Sequence, residues 1–255
     1  MLLQGKRAAV FGVANDRSLA WHIAESLSQA GATVCLGYQN ERLERWVKPL
    51  SETLHEGFCF PCDVNQPGEI GESFERLKDR WGELHILVHS VAFAEREDLS
   101  GRFVDTSQEG FRTALETSAY SLVSLCRAAL PLFERAGEGS VITLTASGAR
   151  AVIPQYNVMG VAKAALEACV RYLAYELGPR NIRVNAISSG PVSTLSSRAI
   201  RGFGEMKRIA AERCPLKRSV EGAEVGAAAV FLGSPASSAV TGEILHVDAG
   251  DHTLA

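Results

Sequence analysis

The stretch Arg7 to Ala20, R-A-A-V-F-G-V-A-N-D-R-S-L-A, is a short apolar run, a glycine, a polar turn and the start of a second apolar segment. Residues 7–12 read as a buried strand and 18–30 as a helix ending at Gly31. A glycine where strand meets turn lets the backbone approach a bound group closely. The helix start behind it offers unpaired amides and a positive dipole end, a combination that favours a diphosphate. Ser18 is placed to cap the helix or to donate to a phosphate. The pattern is not G-x-G-x-x-G, because Ala14 and Arg17 stand at the later positions. An ordinary strand–helix turn would look similar, so the rest of the chain has to decide.

Outward from this unit the alternation continues. Strand patterns fall at 33–38, 58–64, 84–90, 140–145, 182–188 and 243–248. Helix patterns fall at 41–54, 68–81, 107–135 and 157–178. Short apolar strands alternating with amphipathic helices imply a parallel sheet covered on both faces. Right-handed crossovers make it a doubly wound α/β sheet of about seven strands, Rossmann-like, in a single domain over 1–255. Ligands bind such sheets at the carboxyl ends of the strands.

Composition narrows the function. An apolar content of 46% and a charged content of 22% are ordinary globular values. A net charge of −3 argues against nucleic acid as a partner. No apolar run reaches membrane-spanning length, and M-L-L-Q-G-K-R lacks a signal-peptide layout, so a cytoplasmic protein is expected. Six cysteines lie scattered in apolar segments, as buried reduced thiols do. Cys59 and Cys62 form a C-x-x-C on a strand, where that spacing sends the side chains to opposite faces. No second cysteine pair or H-E-x-x-H accompanies it, so no metal is expected.

Every motif falls at a strand's carboxyl end. The second strand ends in Y-Q-N-E, residues 38–41. Gln39 there, without an arginine at the strand tip, favours NAD(H) over NADP(H). Asp63 and Val64 end the third strand and could bracket an adenine. Ser90, Val91 and Ala92 end the fourth with small side chains where a cofactor needs close backbone contact. After the sixth comes S-S-G-P-V-S-T-L, 188–195, which would set Thr194 toward a nicotinamide carboxamide. The glycine-interrupted segment around 195–208 reads as a mobile cover over an apolar substrate. Tyr156 to Lys163, Y-N-V-M-G-V-A-K, sets a phenol and an ammonium on one helical face, about 10 Å apart along the axis. A cation beside a phenol favours the phenolate, so this phenol is expected to ionise readily and to donate to a developing oxyanion.

Taken together, G-V-A-N-D-R-S-L-A, Y-Q-N, Tyr-x6-Lys and V-N-A-I-S-S-G-P resemble the short-chain dehydrogenase/reductase superfamily. The wider Tyr–Lys spacing resembles its enoyl-acyl-carrier-protein reductase branch, the FabI type, across essentially the whole chain. The resemblance implies NADH-dependent reduction of the C2=C3 bond of a trans-2-enoyl thioester, carried by acyl carrier protein, in fatty-acid elongation. It implies that Tyr156 hydrogen-bonds the thioester oxygen and that Lys163 holds the nicotinamide ribose. Gly12, Ser18, Leu19, Gln39, Asp63, Val64, Ser90, Ala92, Lys163 and Thr194 would line the cofactor. Met159, Ile200 and Phe203 would wall the acyl channel, and a homotetramer is implied.

One departure stands out. The branch usually carries a second active-site tyrosine ten residues before the first, and here that position is Ala146. Counting back seventeen from Lys163, where many short-chain dehydrogenases place a serine, reaches the same alanine. The substitution widens the substrate side by roughly a phenol ring. Position 92 is alanine where the branch has glycine. Two rival readings remain: a reductase or dehydrogenase of carbonyls or alcohols, and a catalytically weak cofactor-binding paralogue.

Overall fold

Seven strands form one all-parallel sheet in the order β3-β2-β1-β4-β5-β6-β7 in the computed structural model, which describes residues 1–194 and 202–254. They are β1 (Arg7–Phe11), β2 (Thr33–Tyr38), β3 (Phe58–Pro61), β4 (Ile86–His89), β5 (Gly139–Thr145), β6 (Ile182–Ser189) and β7 (Ile244–Val247). The order reverses between β1 and β4, which pair from Ala8↔Ile86 to Phe11↔His89. That reversal is the topological switch point, where open α/β sheets leave a crevice for ligands.

The helices are α1 (Leu19–Gln29), α2 (Glu41–Glu52), α3 (Pro67–Trp81), α4 (Arg96–Ser100), α5 (Gln108–Leu115), α6 (Ser121–Ala136), α7 (Asn157–Leu177), α8 (Phe203–Arg213) and α9 (Gly222–Gly233). Both sheet faces are covered. Phe74 of α3, Leu122 and Phe133 of α6, and Leu166 and Val170 of α7 pack with Ala9 and Phe11 on one side. Ile23 and Leu27 of α1, Val47 of α2, and Val225 and Ala229 of α9 pack with Ala8 and Val10 on the other. Alternate residues of β1 thus enter opposite cores, as a strand's two-residue period requires.

Local signals set the helix ends. Ser18 Oγ caps α1 by accepting from Trp21 N, and Asn40 caps α2 by accepting from Arg42 N. Pro67 occupies the first turn of α3, and Gly82, at φ 75°, ends it.

The structure corrects two expectations. The helix expected over 107–135 is interrupted: a π-helical turn, Glu116–Tyr120, joins α5 to α6. Thr117, Ser118 and Ser121 carry buried hydroxyls at this break. Each is held: Thr117 by Asn65, Ser118 by Phe93, and Ser121 by the carbonyl of Thr117. The second correction is α9, which has no counterpart in the pattern reading. Its buried face packs on the core with Val225, Ala229 and Leu232, and Gly222 and Gly226 sit on His22 and Ser26 of α1, while its exposed face carries the apolar Ala223, Ala227 and Phe231.

Candidate active site

The parallel sheet brings the strand tips to one edge. Gly12 follows β1 at φ 98°, a conformation that favours glycine. A Cβ at this position would stand 2.7 Å from the carbonyl carbon of Ser90. The β1 and β4 tips therefore touch backbone to backbone at the switch point. Ser18 and Leu19 start α1 directly behind, so its first amides face the crevice mouth.

At the next tips, Gln39 Nε2 lies 3.5 Å from Asp63 Oδ2. Asp63 Oδ1 also accepts from the backbone and side-chain nitrogens of Asn65, at 3.0 Å each, so the carboxylate has a fixed orientation. Val64 packs against the core and Ala92 is exposed. The residues present fit a dinucleotide. A glycine cradle lies where backbone must approach closely, a capped helix start faces it, and a carboxylate–amide pair stands at the second and third tips.

Tyr156 immediately precedes α7 and is not within it. Its neighbours, Gln155 and Asn157, both have positive φ, 66° and 37°. Such residues are held in place by their surroundings at some cost, and they cluster at functional sites. Asn157 Nδ2 donates to the carbonyl of Gly101 at 2.7 Å, tying the helix start to the loop after α4. Met159 is buried in a small apolar cluster with Leu99, Ala114, Val158 and Ala162, and Tyr156 packs against it.

Lys163 is 7% exposed, and its ammonium donates to the carbonyl of Leu144 at 2.7 Å. Burial lowers its pKa to about 8, and Glu167 pulls it back upward. The expected acidification of Tyr156 is not found: burial pushes the phenol above its ordinary value. The helical spacing suggested direct help from the cation, but the lysine is turned to the β5 backbone. The phenol is therefore a firm proton holder and hydrogen-bond donor near neutrality.

Ala146 follows β5, in extended conformation at φ −150°, ahead of the turn Ser147–Ala149. Neither neighbour replaces a missing active-site hydroxyl. Thr145 is buried and donates to Glu167 Oε1 at 2.8 Å, and Ser147 is exposed. Thr194 is half-buried in the loop after β6. Ile200, with the whole of 195–201, lies outside the described residues. Phe203 opens α8 and is half-buried. Lys207 Nζ donates to Ser193 Oγ at 3.2 Å, joining α8 to that loop.

Sequence reasoning passed over His89. It is fully buried, between Thr143 Oγ1 at 2.7 Å and Ser121 Oγ at 2.8 Å. Burial, with Lys163 nearby, lowers its pKa to about 3, so it is neutral. A lone histidine in an apolar strand carries no pattern that would have revealed it. Cys59 and Cys62 face opposite cores, as their spacing requires.

A family model described as enoyl-(acyl carrier protein) reductase matches residues 12–252. The chain belongs to this enoyl-(acyl-carrier-protein) reductase family. It is 49% identical over 255 residues to the enoyl-[acyl-carrier-protein] reductase [NADH] FabI of Bacillus cereus, covering 99% of each chain. A crystal structure of the Bacillus cereus reductase with NADP+ and an indole naphthyridinone superposes with a TM-score of 0.97 at 49% identity. That match covers 100% of this chain and 99% of the other. The Anaplasma phagocytophilum reductase in complex with NAD gives 0.95 at 44% identity, covering 100% and 96%. In this chain Lys163 reaches the carboxyl end of β5 at Leu144, and the Tyr156 ring lies against Gly148 in the turn that follows that strand.

Proposed function

We propose that the chain reduces the C2=C3 double bond of a trans-2-enoyl thioester on acyl carrier protein, with NADH as reductant. Family membership supports the reaction class. The observation that carries the site is the buried Lys163, one of its three N–H donors fixed on Leu144 of β5, with Tyr156, its proton held by burial, seated on the turn after that strand. Bound NADH supplies the hydride to Cβ.

The rest of the chemistry is the chain's own. Tyr156 donates a hydrogen bond to the thioester oxygen, where negative charge develops as an enolate that then takes a proton from water at Cα. A donor aimed at that charge lowers the barrier because it is already oriented. A raised phenol pKa suits this role, since the group donates without losing its proton. Lys163 holds the ribose with its remaining donors and keeps the local potential positive. Gly12, Ser18, Leu19, Gln39, Asp63, Val64, Ser90, Ala92 and Thr194 line the cofactor cleft. Met159, Ala146 and Phe203 face the acyl group.

NADH is the proposed reductant, although the Bacillus cereus structure carries NADP+. Gln39 and the oriented Asp63 carboxylate support this choice, since a 2′-phosphate near them would meet negative charge. A homotetramer is proposed as well. Tyr172 and Tyr175 on α7, 78% and 87% exposed, and Tyr120, 53% exposed, are apolar surface suited to a second copy. A cytoplasmic location goes with a reaction that draws on NADH.

The carbonyl-reductase alternative is weakened by Thr145, whose hydroxyl is committed to Glu167. The deciding assay follows NADH oxidation with crotonyl and longer 2-enoyl thioesters beside matching 3-ketoacyl thioesters. Faster turnover of the ketoacyl series would overturn the proposal.

A further inference from the structure

Behind the site, two hydrogen bonds run from adjacent residues of β5 to α7. Lys163 Nζ donates to the Leu144 carbonyl at 2.7 Å, and Thr145 Oγ1 donates to Glu167 Oε1 at 2.8 Å. Lys163 and Glu167 are four residues apart on the helix, the spacing that sets side chains on one face. Both are 7% exposed, and Thr145 is 3% exposed. Glu167 is therefore a buried carboxylate whose hydrogen bond goes to a neutral hydroxyl. Burial on those terms is costly unless an opposite charge lies near. Lys163 is that charge.

We propose that Glu167, aimed by Thr145, is a positioning residue that supplies the counter-charge for Lys163 and holds its ammonium ready for the nicotinamide ribose. The inference rests on the reading that Lys163 binds that ribose.

The groups facing Lys163 make the effect separable. From its own helix the charge is Glu167. From β4 comes His89, neutral above about pH 3. From β5 comes the uncharged Leu144 carbonyl. Tyr156, ahead of the helix, keeps its proton. Burial alone drives the Lys163 pKa down, and Glu167 opposes it, leaving about 8. Removing the carboxylate charge should therefore let Lys163 lose its proton at lower pH.

The test is titration of NADH against the full chain across that range, for the wild type, Glu167→Gln, Thr145→Val and Lys163→Ala. NADH affinity should weaken on the alkaline side, and in Glu167→Gln that fall should begin about one pH unit lower. In Thr145→Val it should shift the same way by less, and at mildly acidic pH both variants should bind within about threefold of the wild type. A residue that only stabilised the fold would weaken binding without moving the pH of the fall. Should Glu167→Gln fold with the fall unmoved, the proposal is wrong. If Glu167→Gln does not fold, Thr145→Val decides, and an unmoved fall there overturns it. If Lys163→Ala keeps the same affinity and the same alkaline fall, the ribose role of Lys163 fails first and takes the proposal with it. Loss of binding in Lys163→Ala with no shift in Glu167→Gln overturns only the role of Glu167.

Discussion

The ring of Tyr156 rests on Gly148: a Cβ added to that glycine would stand 2.7 Å from Cε1 of the ring. Gly160, one turn into α7, is equally close to the Gly148 carbonyl oxygen, at 2.8 Å for its own hypothetical Cβ. The turn after β5 therefore fixes where the phenol points. Gly148→Ala should push the ring off its seat. A misplacement of about 1 Å at a reacting group can cost ~10² in rate. NADH affinity should stay within about twofold, because Gly12 and Lys163 are untouched. Steady-state kinetics beside a direct binding titration will check this; unchanged kcat would mean the ring has room to move.

Tyr156 and Lys163 should separate cleanly by substitution. Tyr156→Phe removes one donor from the developing oxyanion, a loss of ~10²–10³ in kcat at most, with cofactor affinity nearly intact. Lys163→Ala should lose NADH binding together with turnover. Isothermal titration of both variants distinguishes the roles, and normal NADH binding by Lys163→Ala would refute the assignment.

Much of this arrangement was legible in the chain. Strand β2 runs over the expected 33–38, and the ends of α1, α3 and α7 fall within a residue or two of the pattern. Their caps, Ser18, Pro67 and Gly82, are local signals that burial does not override. What escaped depends on tertiary packing. The π-helical turn at Glu116–Tyr120 keeps helical periodicity on both sides, so its sequence looks continuous. The α9 segment shows no amphipathic pattern because even its exposed face carries Ala223, Ala227 and Phe231. The phenol's pKa went the opposite way because the fold buries it, and spacing along a helix reveals neither that burial nor that the lysine turns inward to Leu144. Glu167 was visible four residues after Lys163, but its burial was not.

The tips of β2 and β3 should select the cofactor. Gln39 lies within 3.5 Å of the Asp63 carboxylate. A 2′-phosphate beside that carboxylate would be disfavoured by about 1–2 kcal/mol in this exposed setting. NADH should then bind about tenfold more tightly than NADPH, and Gln39→Arg should narrow or reverse the ratio. Calorimetric titration of both cofactors measures it, and equal affinities in the wild type would dismiss the argument.

His89 should make the fold sensitive to acid. Its pKa is about 3 in the folded chain, against 6.5 ordinarily, so the unfolded chain binds a proton there that the folded chain does not. Stability from this group is fully present above 6.5 and is lost as pH falls toward 3, by roughly 5 kcal/mol at most. His89→Gln should flatten the slope of unfolding free energy in that window, whatever it does to stability at neutral pH. Denaturant melts at several acidic pH values will show whether the slope survives the substitution, which would place it elsewhere.

Ala146 should set how bulky a substrate the site accepts. It lies two residues after Leu144, the Lys163 acceptor, and two before Gly148, the seat of Tyr156. It is half-buried. The turn it precedes is held by backbone bonds from Ala149 and Arg150 to Ala146 and Ser147, which do not depend on the side chain. A larger residue can therefore be placed there without dismantling the turn. With alanine, branched or bulky 2-enoyl groups should be turned over better than in family members that carry the tyrosine. Inhibitors that stack on the cofactor and bond Tyr156 should lose contact area on this side. Ala146→Tyr should raise kcat/KM for straight-chain enoyl thioesters by about tenfold, the worth of one apolar ring contact of ~1–2 kcal/mol. It should lower kcat/KM for bulky substrates by a similar factor. If neither series changes while the variant folds and binds NADH as before, position 146 does not face the acyl group. The missing tyrosine would then carry no consequence for specificity.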